Sequence, residues 1–398
     1  MISIRKNLLP LGLSTAVALM SIGLVAHADD AASKPGAKPA HESAASAKAK
    51  PQLSPELAAL RDQVRQVTAA HQKQALNTQQ NSATEIQSAC LAFGCNAEVS
   101  RGDGQRVNGI ACLCWNYPCA GFEMLSFRHK HVAARIGYGM QEHPGEFLAM
   151  LAMSRVPDNY RFRIGQDERK VADLVESEKL GCRSGSDSSL KLIGLAWYVA
   201  EPEWKNDLGE TWSIGRLIDA EIAKPVATPS EEGLNRLMGI SYAVARLAKH
   251  GQPIEGRLER AQNYVNDLQT FALGRQNADG SWGPYFLAAR GECPDAASQL
   301  RSTGRVFEWL AMSLPNEKLK DPRVVGSVEC LVRLLGSERY ELNASSLSTQ
   351  EIVSLGHALH ALAIYDQRVF QAADAGDKPV KEPESATASR GDNSAQSR

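Results

Sequence analysis

The sequence predicts an all-α protein built as an α/α toroid, an inner ring of helices wrapped by an outer ring, with a Cys-rich N-terminal segment ahead of it. Three observations carry this expectation. From about residue 130 onward, apolar segments rich in small residues alternate with amphipathic, charged ones. Polar loops separate the two kinds. No sustained period-two pattern marks a large sheet, only short extended pieces such as Arg161–Ile164.

The chain begins with a pattern that reads as a secretory signal over residues 1–28. Arg5 and Lys6 supply the positive start, Leu8 to Val25 the apolar run, and Ala26-His27-Ala28 the small-x-small cleavage site. Export to the periplasm or the extracellular space is therefore expected, with no membrane span after cleavage. Residues 29–53 are mostly Ala, Lys, Ser and Pro, and residues 373–398 are similarly polar. Such segments cannot offset their ordering entropy and read as a tether and a tail.

Charge narrows the partners. The whole chain has a net charge of −1, and removing Arg5 and Lys6 with the signal leaves −3. No basic face is implied, so nucleic acid and anionic membranes are poor partners. The expected partner is a small molecule or a glycan. No cofactor and no metal are expected.

Residues 54–125 form the N-terminal segment. Ser54 caps a helix over 55–75, with Leu57, Leu60, Val64 and Val67 on one stripe. Residues 84–125 read as irregular and Cys-rich, with turns at Gly102-Asp103-Gly104 and Tyr117-Pro118. The chain has 8 cysteines, five of them between Cys90 and Cys119. An even count in an exported chain favours disulfides. The competing zinc reading has a spacing that fits no common module.

Residues 126–372 form the helical domain. Its apolar segments are Gly145–Met153, Leu190–Val199, Leu234–Leu247, Gly304–Leu314 and Gly356–Ile364. The amphipathic ones are Glu168–Leu180, Trp212–Ala223, Arg257–Arg275 and Pro322–Leu335. Helices apolar all round are buried, and one-faced helices cover them.

The run Phe271-Ala-Leu-Gly-Arg-Gln-Asn-Ala-Asp-Gly-Ser-Trp282 is similar to the QW-type repeat of terpene cyclases and related toroids. Asp279 and Gly280 suit a tight turn, Trp282 would pack on the preceding helix, and Gln276 would bond the turn backbone. These four are structural residues in this reading. The D-x-D-D and D-D-x-x-D acids of cyclases are absent, and Gly181-Cys182 is followed by Arg183-Ser184 rather than by a thioester signature.

A wider resemblance covers most of residues 105–370. Gly109-Ile-Ala-Cys-Leu-Cys-Trp-Asn-Tyr-Pro118, Lys191-Leu-Ile-Gly-Leu195, Arg236-Leu-Met-Gly-Ile-Ser-Tyr242 and Gly356-His-Ala-Leu-His-Ala-Leu-Ala363 look like exported planctomycete-type toroid proteins. That resemblance implies the toroid fold and no settled activity. Some such proteins carry the label ADP-ribosylation factor-directed GTPase-activating protein. That activity needs a C-x2-C-x16-C-x2-C zinc finger, which this sequence lacks. The resemblance also implies His at the positions of Asn235 and Arg305, so imidazole chemistry there is not carried over.

In a toroid the inner-helix N-termini converge on one axial mouth, where free N–H groups and dipoles suit anions. The candidate binding residues there are Gln141, Glu142, Lys191, Arg236, Thr303 and Arg305. The candidate catalytic residues are His143, Asn235, Glu308 and His357. Most have a capping or core reading as well: Ser302 and Thr303 as N-caps, Glu308 as the ion-pair partner of Arg305 one turn earlier. His357 and His360 lie three apart and could share a face.

Three functions fit this pattern. The first is an exported toroid that binds a ligand or acts as a scaffold through a polar axial pocket. The second is a polysaccharide lyase or glycoside hydrolase, the latter needing two carboxylates such as Glu142 or Glu146 with Glu308. The third is a terpenoid-binding or cyclase-like protein. Convergence of Glu308, Asn235 and His357 on an open bowl favours an enzyme, and a packed axis favours a scaffold.

Overall fold

A computed structural model describes residues 53–341 and 346–375. The signal, the tether up to residue 52 and the tail from residue 376 lie outside the described residues.

Helix α1 (Pro55–Gln72) starts at Ser54, whose side chain accepts the Leu57 N–H at 3.3 Å. Strand β1 (Leu76–Asn77) leads into α2 (Ala83–Phe93), and β2 (Glu98–Ser100), β3 (Arg106–Asn108) and α3 (Gly109–Cys114) follow. β1 pairs parallel with β2, and β2 antiparallel with β3. The hairpin β4 (Leu125–Arg128) and β5 (His131–Ala134) precedes α4 (Glu146–Met153). The hairpin β6 (Arg161–Ile164) and β7 (Asp167–Lys170) precedes α5 (Val171–Leu180) and α6 (Ser189–Tyr198). A last hairpin, β8 (Trp204–Lys205) and β9 (Thr211–Trp212), leads to α7 (Ile214–Ile222), α8 (Glu232–Lys249) and α9 (Arg257–Arg275). Then come α10 (Ala296–Ser313), α11 (Pro322–Leu335), α12 (Glu338–Glu341), α13 (Thr349–Tyr365), a π-type turn (Asp366–Gln371) and α14 (Ala372–Ala375). The chain is mostly helical, and its strands form only small sheets.

The helices pack in a regular order. α4 lies on α6, α6 on α8, α8 on α10, α10 on α13, α13 on α2, and α2 on α4. The sequence of contacts thus returns to its start. The amphipathic helices cover these six: α5 packs on α6, α7 and α9 on α8, α11 on α10, and α1 on α11 and α13.

The small residues of the apolar helices explain how closely they approach. A Cβ on Gly194 would lie 2.5 Å from Leu148 Cγ, and one on Gly239 2.1 Å from the Ser189 carbonyl oxygen. On Gly356 it would lie 2.6 Å from Ser88 Cβ, and on Gly304 3.1 Å from Ala358 Cβ. Four of the six contacts therefore carry a glycine at the point of close approach, where the size of the residue sets the spacing between helices. Trp309, fully buried on α10, donates its Nε1–H to Ser241 Oγ on α8 at 3.0 Å.

Three sequence expectations need correction. α2 is a full helix inside the stretch read as irregular, started by a capping box of Ser82 and Glu85. α10 begins eight residues before Gly304, at Ala296, where Asp295 accepts the Ser298 N–H at 2.7 Å. Ser302 and Thr303 are therefore interior residues of the helix, not caps. α13 likewise begins at Thr349 with a Ser348–Glu351 capping box, so His357 lies two turns inside it. Both helices open with polar turns, which hides their starts from a search for apolar periodicity. At the other end, Asp374 of α14 pairs with Arg65 at 2.9 Å, so the expected tail start at 373 falls within described structure.

The even count predicts disulfides, and among the described residues no two cysteines stand at disulfide distance. Cys90, Cys112, Cys114 and Cys119 are buried in the core and pack there as small apolar groups. Burial pushes the Cys90 thiol well up, so it is held as the neutral thiol. Among the described residues, no helix is long and apolar enough to cross a membrane.

Candidate functional site

Six helices direct residues into one cavity of about 70 Å³. α2 gives Thr84 and Gln87, and the turn into α4 gives Glu142, His143 and Glu146. Leu190 comes from α6, Asn235 from α8, Arg305 and Glu308 from α10, and His357 from α13, with Glu231 at the start of α8. Met150, Met153, Met238 and Val353 form its apolar walls.

One wall is a buried ion cluster. Glu308 is fully buried. Its Oε2 accepts from Arg305 Nη1 at 2.9 Å and from His357 Nδ1 at 2.9 Å, and its Oε1 accepts from His360 Nδ1 at 2.6 Å. A carboxylate only accepts, so each imidazole presents an Nδ1–H to Glu308. Burial works against ionisation of Glu308, but His357, His360 and Arg305 hold its carboxyl well below the usual range. Arg305 also donates to Asn235 Oδ1, and its Nε lies 3.1 Å from Glu231 Oε2. Arg301 reaches the other Glu231 oxygen at 2.6 Å. Burial pushes the Glu231 carboxyl up, and Arg305 foremost brings it net down.

The facing wall comes from the turn before α4. Glu146 Oε2 accepts the Glu142 and His143 N–H groups at 2.8 and 3.1 Å, and Oε1 accepts from Gln87 Nε2 at 2.9 Å. Desolvation outweighs these bonds and raises the Glu146 pKa. His143 Nδ1 stands 3.3 Å from Asp187 Oδ2, and that bond raises the imidazole pKa. Asp187 is anchored by the Ser189 N–H at 3.0 Å and the Ser189 hydroxyl at 2.7 Å.

The structure thus gathers His143, Asn235, Glu308, His357, Glu142 and Arg305 at one cavity. The other four candidate residues lie elsewhere. Gln141 ties α4 to the β5 hairpin, accepting the Phe147 N–H at 3.1 Å and donating to the Ala134 carbonyl at 3.0 Å. Lys191 pairs with Glu178 of α5 at 3.0 Å. Arg236 donates to the Pro225 carbonyl at 2.7 Å and lies 3.6 Å from Glu221 of α7. Thr303 Oγ1 accepts the Trp282 N–H at 3.3 Å. Adjacent helix residues do not share a face. Leu190 and Asn235 therefore reach the cavity while Lys191 and Arg236 turn to the covering helices.

The sign of the mouth also differs from expectation. Helix N-termini favour anions, but the chain's own carboxylates already occupy these ends. Four glutamates line the cavity against one arginine and two histidines. Thr84 and Gln87 were missed because α2 was, although the Ser82-x-x-Glu85 spacing is a helix-start signal. Among the described residues, no group of three or more His, Cys, Asp or Glu side chains could hold a metal ion.

The QW-type turn is a separate feature. Gln276 Nε2 donates to the Gly280 carbonyl at 3.0 Å, the Arg323 carbonyl at 2.9 Å and Ser327 Oγ at 2.7 Å. Gly280 has φ +84°, and a Cβ there would lie 2.1 Å from the Gly326 carbonyl oxygen. Asp279 accepts the Ser281 N–H at 3.1 Å, and buried Trp282 donates to the Ala272 carbonyl at 2.9 Å. This staple joins α9 to α11, away from the cavity.

No family model matches the chain, and neither a curated protein nor a solved structure matches it.

Proposed function

We propose that the chain is an exported α/α-toroid protein whose axial pocket binds a small, hydroxyl-rich ligand. The closing order of contacts among six apolar helices, covered by amphipathic ones, supports the toroid. The signal-like pattern of residues 1–28 supports export. One observation carries the binding reading: all six helices deliver a side chain to a single cavity with both donors and acceptors on its walls. Its volume, below the usual small-molecule range, supports a ligand of a few heavy atoms such as a short polyol over a polymer. The ligand class follows from the charges, since the mouth's carboxylates repel anions and accept hydroxyl protons. No Phe, Tyr or Trp lines the pocket, which weighs against a terpenoid.

The test is a thermal-shift and calorimetric screen of monosaccharides, polyols and sugar acids. A ligand at hundredfold excess over its Kd stabilises by about 2.7 kcal/mol. Asn235→Ala and Glu146→Gln should each weaken it about tenfold, the worth of one good hydrogen bond. A panel in which only the acids bind, or nothing binds, sinks the proposal.

A second reading, acid–base catalysis on a glycoside, rests on the Asp187-backed imidazole of His143 beside Glu146. It fits less well, because both oxygens of Glu308 are already bonded to Arg305, His357 and His360. Turnover of a glycoside that His143→Gln abolishes would establish it.

A further inference from the structure

The same helices enclose a second, larger cavity of about 410 Å³, within the usual range for small-molecule sites. Residues near the C-terminal ends of α4, α6, α8, α10 and α13 line it, among them Met153, Trp197, Met312 and Ile364. Among the described residues its charged lining is cationic, Arg155, Arg246, Lys249 and Arg368, with His360 on the inner wall.

Cations near helix C-termini offset the negative end of the dipole. Arg368 does this directly, donating to the carbonyls of Ala311 at 2.6 Å, Met312 at 3.0 Å and Leu314 at 2.6 Å. Arg246 is different. Its guanidinium stacks 3.9 Å from the centroid of the Trp197 ring, and its buried Nε has no hydrogen-bond partner among the described residues. A buried donor left unbonded carries its full desolvation penalty, which an acceptor bound in this cavity would relieve. Arg155 sits just past α4 with φ +57°, a left-handed conformation that few non-glycine residues adopt. That conformation closes α4, with the Val156 N–H bonding the Leu151 carbonyl and the Arg155 N–H the Ala152 carbonyl, both at 3.0 Å, and it fixes the Arg155 backbone at the rim of the cavity.

We propose that this cavity binds a small organic anion. Its carboxylate, sulfate or phosphate group is held by Arg246 and Arg155. Its apolar body lies against Trp197, Met153, Met312 and Ile364. The inference does not depend on what the mouth binds.

The probe is naphthalene-2-carboxylate, titrated into the full mature chain and followed by calorimetry and tryptophan fluorescence. Saturable binding is expected. Arg246→Gln and Arg155→Gln should each weaken it about tenfold, as loss of a charge-assisted hydrogen bond does. Arg161→Gln, which removes an equal charge from the exposed β6 hairpin, should leave it unchanged. Arg155 is exposed, so Arg155→Gln stays informative even if Arg246→Gln fails to fold. Equal affinity for naphthalene-2-carboxamide, no saturable binding, or unchanged affinity in Arg155→Gln overturns the proposal.

Discussion

The two cavities lie at opposite ends of the same core helices and have opposite chemistry. The N-terminal one is narrow and lined by four glutamates, and the C-terminal one is larger and lined by three arginines and a lysine. Five helices contribute to both, each with residues nearer its start at the first cavity and nearer its end at the second. They therefore run in one direction, and their dipoles add. Side chains of the offsetting sign have collected at each end. A helix dipole thus indicates which of the chain's own residues will settle at an end before it indicates a ligand. At the first cavity Glu146 is bonded to two backbone N–H groups, while Gln87 Oε1 and Arg305 Nε make no hydrogen bond among the described residues. At the far end Arg246 Nε likewise makes none.

Three experiments break or sharpen this contrast. Glu308 stands between the two ends, bonded to His357 at the first cavity and His360 at the second. Glu308→Ala leaves Arg305 and both imidazoles without their shared counter-charge. It should cost about 3–5 kcal/mol in urea unfolding, as loss of one partner from a buried ion pair does. A loss under about 1 kcal/mol would mean the cluster is not the divider described.

Next comes Gly239→Ala, which places a methyl where the Ser189 carbonyl stands 2.1 Å away. Overpacking of that kind costs about 1–3 kcal/mol. Unchanged stability would show that α6 and α8 are free to move apart.

The smallest effect belongs to the mouth's His143–Asp187 pair. His143 has a raised pKa, so its contribution is complete below the ordinary imidazole value of about 6.5 and is lost as pH rises through the raised value. Asp187 has a lowered pKa, so its contribution is complete above the ordinary value of about 3.9 and is lost on acidification. Asp187→Asn should therefore lower the Tm by about 2–4 °C between roughly pH 4 and 6.5, for about 1 kcal/mol. The deficit should shrink as pH rises toward 9. A deficit that grows with pH contradicts the pair.

Much of this was legible in the residues. α9 and α11 begin and end where their amphipathic patterns do, at Arg257–Arg275 and Pro322–Leu335. The pairing of Arg305 with Glu308 followed from one helical turn of spacing and an apolar setting. The helix α2 did not stand out, because turns and cysteines around it mask one short amphipathic stretch. Lys191, Arg236 and Thr303 were assigned to the wrong face because helix starts place them along the axis but do not fix their rotation about it. The second cavity left no local signal. Arg155 and Arg246 are far apart in sequence, and only the packing of α4, α6 and α8 brings them together.

The glycines at the helix crossings have one further consequence. Gly239 and Gly356 meet main-chain atoms of the neighbouring helix, Gly304 meets Ala358, and Gly194 admits the Leu148 side chain, so these four positions set how near neighbouring helices come. Trimming Met150 or Met238 would enlarge the cavity they wall but leave that spacing as it is. Changing the spacing itself means changing residues that touch no ligand, beginning with the glycines.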